Sequence, residues 1–299
     1  MKEKLTVPES FTGELWFYSK EGFLDHSHQA FLHRHDELEL NLVVQGRGIY
    51  LLNSCKIEIK PNSMVWLFPE QEHLLVEKSL DFEMWILVVK PSYLREICTD
   101  HNSQVLLKDN PEGNFCRNLS NSQFQKLTGY CRDMFAVKND RALFNASIGF
   151  ILLAAWAAYQ AANSASLVKN INPVIDKVTK LIIDGRGADE LSCLAREVGL
   201  SSNSLSRIFK KEVGISLTTF RNRCRVEQFL DLYGDGRTLT MLDAAFEAGF
   251  GSYAQFYRVF TKTMGGNPSD YRRDLMNPPL NPHSPYAVSR TAAPTNAVQ

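Results

Sequence analysis

Leu242-Asp-Ala-Ala-Phe-Glu-Ala-Gly-Phe-Gly-Ser252-Tyr-Ala-Gln-Phe-Tyr-Arg-Val-Phe-Thr-Lys262 is the stretch whose reading decides the fold. Some fifty positions earlier stands a weaker copy, Leu191-Ser-Cys-Leu-Ala-Arg-Glu-Val-Gly-Leu-Ser-Ser202-Asn-Ser-Leu-Ser-Arg-Ile-Phe-Lys-Lys211. Each copy reads as a short helix, a glycine turn and a second helix. Ala195 and Ala245 are small where two crossing helices must approach closely. Gly199 and Gly249 suit the positive φ of the turn. Leu205, Ile208 and Phe209 in one copy, with Phe256, Val259 and Phe260 in the other, recur at i, i+3, i+4 and predict a buried stripe on each second helix. Ser201 or Ser202, and Ser252, suit its N-cap.

The opposite faces carry the chemistry. Asn203, Ser206, Arg207 and Lys210 project away from the first stripe, and Tyr253, Gln255, Tyr257 and Arg258 away from the second. Such side chains donate to base edges or phosphates, and an α-helix fits the major groove of B-DNA. The formal net charge of the chain is +0, so the case for nucleic acid rests on local placement. Between residues 204 and 225, Arg207, Lys210, Lys211, Arg221, Arg223 and Arg225 face Glu212 alone as an acid.

Outward from this region, the composition is that of a globular chain, with 44% hydrophobic and 22% charged residues. Six cysteines without C-x-x-C spacing predict reduced thiols in a cytoplasmic protein rather than a structural zinc site. From about Glu14 to Val89, apolar β-branched runs (Leu38–Val44, Gly48–Leu52, Lys56–Ile59, Met64–Phe68, Phe82–Val89) alternate with turn signals, which predicts a small antiparallel barrel or jelly roll. Helices follow near Gln123–Val137 and Ala142–Ala162. The second is uncharged, yet Asn145, Ser147 and Gln160 and the absence of basic flanks predict a helix packed on protein, with no membrane partner. Its stripe Phe144, Ile148, Ile151, Ala155 and Tyr159 predicts either dimer contacts or a cover for the barrel. A polar joint at 163–172 leads to Pro173, placed to open a helix. The tail after Leu275, with five prolines, predicts disorder.

The duplicated motif resembles the AraC/XylS family of bacterial transcription regulators. The matching features are Leu-Ala-x3-Gly-Leu-Ser, Leu-Ser-Arg-x-Phe-Lys-Lys-x2-Gly, Gly-Phe-x-Ser-Tyr-x-Gln-Phe-x-Arg-x-Phe, and Pro268-Ser-Asp-Tyr271-Arg272. They cover about residues 173–273. Carried over position by position, the resemblance puts base reading on Asn203, Ser206 and Arg207, and on Ala254, Gln255 and Arg258. It implies a long helix near Leu217–Tyr233 joining the two units. Thr261 stands where the family has lysine, and Ala254 offers only a methyl, so the first unit is expected to carry more of the specificity.

Upstream, His33-Arg-His35-Asp-Glu-Leu-Glu39 and then Gly46 have the H-x-H-x3-E-x6-G spacing of a cupin, and Pro69-x3-His73 supplies another histidine. The family resemblance implies an effector-binding barrel, with His33, His35, Glu39, His73, Tyr50, Trp66 and Trp85 as effector contacts. A transition metal is the alternative occupant of the same imidazoles; no metal, cofactor or catalytic residue is assigned. The expectation is an α+β chain: a cupin-like barrel over 1–115, a helical dimerisation segment over 116–163, a double helix-turn-helix DNA-binding domain over 173–275, and a disordered tail over 276–299. It reads as a regulator, in this family more often an activator, with double-stranded DNA, a small-molecule effector, a second copy of itself and RNA polymerase as partners. The rivals are a metal-dependent cupin enzyme fused to a DNA-binding domain, and a regulator without an effector.

Overall fold

The computed structural model describes Leu5 and residues 7–19, 33–113, 115–162, 164–165, 168–185, 190–234 and 236–276; the proline-rich tail expected after Leu275 lies almost entirely outside them. Among the described residues, seven strands come first: β1 (Gly13–Tyr18), β2 (Leu38–Gln45), β3 (Gly48–Leu52), β4 (Cys55–Ile59), β5 (Ser63–Leu67), β6 (His73–Lys78) and β7 (Glu83–Val89). A short helix α1 (Pro91–Ile97), strand β8 (Cys116–Asn118), helices α2 (Asn121–Ala136) and α3 (Arg141–Ala161), and strands β9 (Ser164–Ala165) and β10 (Val168–Asn170) complete this half. Two antiparallel sheets result, of order β1-β7-β2-β5-β8-β9 and β10-β4-β3-β6. The polar joint expected at 163–172 is therefore no loose linker. Its backbone adds β9 to β8 and β10 to β4, one strand to each sheet.

Side-chain alternation gives each sheet two faces. Tyr18, Val43, Tyr50, Leu52, Val65, Leu67, Leu75, Met84, Ile86 and Val88 meet between the sheets and form the barrel interior. Leu40, Leu42, Trp66, Trp85 and Leu87 face the other way and pack beneath α2 and α3. The start of α2 is fixed by a capping box between Ser120 and Gln123, and that of α3 by the Asp140 side chain. Phe144, Ile148, Ile151, Ala155 and Tyr159 all belong to this second core. Of the two uses expected for this stripe, it serves to cover the barrel sheet. The outward face of α3 instead exposes Leu143 (49%) and Phe150 (57%).

Among the described residues, seven helices form the C-terminal half: α4 (Pro173–Ile183), α5 (Leu191–Glu197), α6 (Ser202–Val213), α7 (Leu217–Tyr233), α8 (Met241–Glu247), α9 (Tyr253–Met264) and α10 (Pro268–Met276). They divide between two cores. Val226, Phe229 and Tyr233 of α7 pack with α8 and α9 in a core of their own. The core of α4, α5, α6 and the start of α7 instead includes Leu51, Leu74 and Val76 from the outer face of the smaller barrel sheet. Arg223 reinforces this junction by donating from Nη1 to the Val76 carbonyl at 2.7 Å.

Candidate nucleic-acid interface and buried histidine cluster

The two helical units close by the same local chemistry. At the end of α5 the Gly199 N–H bonds the Arg196 carbonyl and the Leu200 N–H reaches back to Ala195; at the end of α8, Gly249 bonds Phe246 and Phe250 bonds Ala245. Both are Schellman closures, which require a left-handed residue at the position after the cap. Gly199 (φ 69) and Gly249 (φ 84) supply it. Ala195 and Ala245, each 1% exposed, sit where the paired helices cross. The Ser201 side chain then accepts from the Ser204 N–H to start α6, and Ser252 accepts from Gln255 to start α9.

The turns are not of equal length. Four residues separate α5 from α6 and five separate α8 from α9, so the copies run at an offset of 50 in their first helices and 51 in their second. Gly251 is the added residue, and its N–H donates to Gln255 Oε1 at 3.1 Å. The insertion pairs Asn203 with Ala254, Ser206 with Tyr257, Arg207 with Arg258 and Lys210 with Thr261.

Leu205 and Phe209 are buried on α6, as are Phe256 and Phe260 on α9. Asn203, Arg207 and Lys210 are exposed on the other side of α6 and Ser206 is half-buried; Tyr253, Ala254 and Arg258 are exposed on α9, with Gln255 half-buried. All eight predicted reading residues therefore lie on the two second helices. Gln255 is already engaged by the Gly251 N–H, which sequence reasoning missed. Thr261, opposite Lys210, buries its hydroxyl, so that position presents neither charge nor donor to a phosphate.

The barrel half gathers a different set. His33 and His73 form an antiparallel bridge, each N–H bonding the other's carbonyl (3.1 and 2.9 Å). Alternation turns His33 and His35 inward, and Arg34 between them outward to an ion pair with Glu70 at 2.8 Å. Glu39 is two positions before Asn41 on β2, on the interior face. Exposure falls to 7% for His33, 1% for His35, 2% for His73 and 7% for Glu39. The three imidazoles each offer a nitrogen within 4.8 Å of the others, among the described residues.

The local bonds are specific. His35 Nε2 lies 2.9 Å from Glu39 Oε2, and its Nδ1 lies 3.0 Å from the Glu37 carbonyl. His73 Nδ1 lies 2.9 Å from the Gln71 carbonyl, while its Nε2 is buried with no hydrogen-bond partner among the described residues and sits 3.9 Å from Glu39 Oε2. The other Glu39 oxygen accepts from Asn41 at 2.7 Å, and Asn41 also donates to the Tyr50 hydroxyl at 3.0 Å. Burial by itself raises the Glu39 carboxyl, but the His35 hydrogen bond, the charges of His73 and His35 and the Asn41 amide outweigh it and hold it at about 2. Burial, with His33 beside it, drives His73 well below the usual histidine range. An acceptor buried without a donor costs about 1–3 kcal/mol, so the His73 arrangement is expensive as it stands.

Five of the seven expected effector contacts are brought together: His33, His35, Glu39, His73 and Tyr50. Trp66 and Trp85 are not. Trp66 pairs with Leu40 and Trp85 with Leu42 on the helix-covered face, where Trp66 meets Trp156 and Trp85 meets Phe17 and Phe135. They wall the outer core, not the interior. Asn41 is the member sequence reasoning passed over; its place two residues beyond Glu39 on one strand was the available signal.

Comparison with known proteins matches both halves. A model described as an AraC-like ligand binding domain matches residues 17–122, and one described as a helix-turn-helix domain matches residues 194–274; together they cover well over half of the chain. An uncharacterised HTH-type transcriptional regulator, YfiF, of Bacillus subtilis is 22% identical over 267 residues, 84% of this chain and 81% of its own length. The arabinose operon regulatory protein of Salmonella typhimurium is 31% identical over 83 residues, 28% of this chain and 29% of its own length. Among solved structures, ToxT of Vibrio cholerae aligns over 89% of this chain and 98% of its own at 14% identity, with a TM-score of 0.35.

Proposed function

The chain belongs to the AraC family of DNA-binding transcription regulators, with a ligand-binding domain ahead of its helix-turn-helix domain, and from that premise we propose how it reads its operator and what it senses. Helices α6 and α9 enter successive major-groove segments of one duplex. The 17 residues of α7 span about 25 Å at 1.5 Å per residue, a length suited to two segments one helical turn, about 34 Å, apart. Asn203, Ser206 and Arg207 read bases from α6, with Lys210 on the backbone. On α9 Arg258 reads bases, Ala254 offers a methyl to thymine, and Tyr253 and Gln255 flank them. The observation that carries this reading is the repeated closure at Gly199 and Gly249, each followed by a helix that buries one stripe and exposes polar residues opposite it.

The barrel interior at His33, His35, Glu39, His73 and Tyr50 is the sensor, and a ligand there shifts the population between DNA-binding arrangements. The protein acts in the cytoplasm as a homodimer, with the outward face of α2 and α3 (Tyr130, Leu143, Phe150) as the seam, and activates transcription by contact with RNA polymerase. Its similarity to transcriptional regulators supports a binding protein rather than an enzyme.

The test is selection of duplexes from a random pool by the full-length protein, followed by gel-shift titration of the selected site. Arg207→Ala is expected to lose about 1–3 kcal/mol at that site, with a smaller loss for Gln255→Ala, whose side chain is partly committed to the turn. An Arg207→Ala protein that binds the selected duplex as well as the parent sinks the assignment of the reading face.

A further inference from the structure

We infer that His33, His35, His73 and Glu39 hold a divalent first-row transition-metal ion, which makes this ion the ligand, or part of the ligand, of the barrel. The inference rests on the sensor reading given above for the same site and names the chemistry it takes. It is carried by the buried Nε2 of His73, which has no hydrogen-bond partner among the described residues and lies by the same Glu39 oxygen that His35 faces.

A carbonyl oxygen only accepts, so each imidazole nitrogen beside one must carry the proton. The Glu37 carbonyl at 3.0 Å therefore places a proton on His35 Nδ1, and the Gln71 carbonyl at 2.9 Å places one on His73 Nδ1. In a neutral ring that leaves Nε2 as a lone pair. Both Nε2 atoms face the same oxygen of Glu39, at 2.9 and 3.9 Å. An acceptor facing a carboxylate at hydrogen-bond distance is repulsive unless a cation lies between them. A proton on His35 Nε2 would answer for the first contact. It does nothing for His73 Nε2, which is buried and has no hydrogen-bond partner. One metal ion satisfies both nitrogens and the oxygen together.

The spacing and the outer shell agree with that occupant. A four-coordinate ion with bonds of about 2.1 Å holds its ligand atoms about 3.4 Å apart, and the two separations from Glu39 Oε2 bracket that value. Metal-bound histidines generally donate their other ring N–H to a carbonyl or carboxylate, which fixes the tautomer; His35 and His73 do so. Asn41 holds Glu39 Oε1 at 2.7 Å and leaves Oε2 for the ion. His33, bridged to His73 through the backbone, supplies the third ring within 4.8 Å. Imidazoles with one carboxylate suit zinc, iron, cobalt, nickel or manganese rather than calcium or magnesium. The rest of the barrel interior is occupied by Leu52, Leu75, Phe82, Met84 and Val88, so the cluster suits an ion better than a drug-sized molecule, which needs a concave pocket of its own.

The experiment uses full-length protein purified without a metal-affinity step, stripped with chelator and titrated with Co²⁺. One equivalent per chain is expected, with the intense visible bands of low-coordinate cobalt, and with a rise in melting temperature on adding Co²⁺ or Zn²⁺. His35→Ala and His73→Gln should lose the bands and the rise; His101→Ala, on the surface, should keep both. No stoichiometric uptake by the parent protein overturns the inference whatever the variants do, as does undiminished uptake by a folded His73→Gln protein. Selection of a duplex in the same preparations separates the two claims. Sequence-selective binding without metal uptake leaves the regulator standing and removes the metal; metal uptake without selective binding does the reverse.

Discussion

Two glycines bear more of the functional argument than any charged residue. At Gly199 nothing lies within 4 Å of where a Cβ would stand, so an alanine there meets no clash and the whole cost is conformational. At φ 69 that cost is about 1–2 kcal/mol for an L-residue. Gly199→Ala is therefore expected to lower the unfolding free energy of the C-terminal half by that amount, read as a lower denaturation midpoint at unchanged slope. Gly266→Ala, equally uncrowded and without a left-handed φ, should stay within about 0.5 kcal/mol. Equal effects in chemical denaturation would mean the turn is not what holds α5 against α6. Both glycines were legible in the sequence, because a helix, a left-handed glycine and a serine cap are signals confined to about ten consecutive residues. The histidine cluster was legible in membership and not in geometry. His33, His35 and Glu39 lie on one short stretch, but the bare Nε2 of His73 depends on Gln71 and on a bridge to His33 that spans 40 positions. Trp66 was misread for a related reason. All five residues of β5 are buried, one face by the barrel interior and the other by α2 and α3, so no polar alternation tells which face is which.

At the scale of elements, α3 shows how composition misleads when packing is unknown. It is long and apolar enough to cross a membrane, and its heptad-like stripe suits a dimer seam equally well. The stripe is used to cover β5 and β7, so truncation within it opens a cavity in the barrel half. Ile151→Ala, at a side chain 1% exposed, is expected to cost about 2–5 kcal/mol. Phe150→Ser, one residue away and 57% exposed, should leave stability within about 0.5 kcal/mol. It should also shift the protein from dimer to monomer in sedimentation velocity, since Phe150 sits with Tyr130 on the proposed seam. A Phe150→Ser protein that sediments as the parent does places the seam elsewhere. Of the strands with no run of their own in the sequence, β8, β9 and β10 are fixed by partners far along the chain. β10 is three residues long and exists through its pairing with β4, a contact no local pattern announces.

In the whole molecule the two DNA-reading units are not equivalent, and the asymmetry gives the barrel a route to one of them. The core of α8 and α9 closes on α7 and α10, helices of its own half, whereas that of α5 and α6 is shared with Leu51, Leu74 and Val76 of the barrel sheet. β6 carries both ends of the connection. Its first residue is His73, in the cluster, and its fourth is Val76, whose side chain enters the shared core and whose carbonyl takes the Arg223 hydrogen bond. Three residues of one strand, about 10 Å at 3.3 Å per residue, separate the two, so a movement of His73 on ligand binding would reach the core that holds α6. Gly214 tightens the same junction: a Cβ there would stand 3.1 Å from Glu77 Oε2 and 3.2 Å from Ile49 Cδ1. Val76→Asp puts a charge into this shared core, while α8 and α9 keep theirs. The expected result in calorimetry is that one cooperative transition becomes two, with the barrel half and the helical half melting separately. In the gel shift, Val76→Asp protein should still bind the selected duplex while its affinity no longer responds to chelator or added metal. Retention of a single transition together with an intact metal response would show that the barrel communicates with α6 by another path.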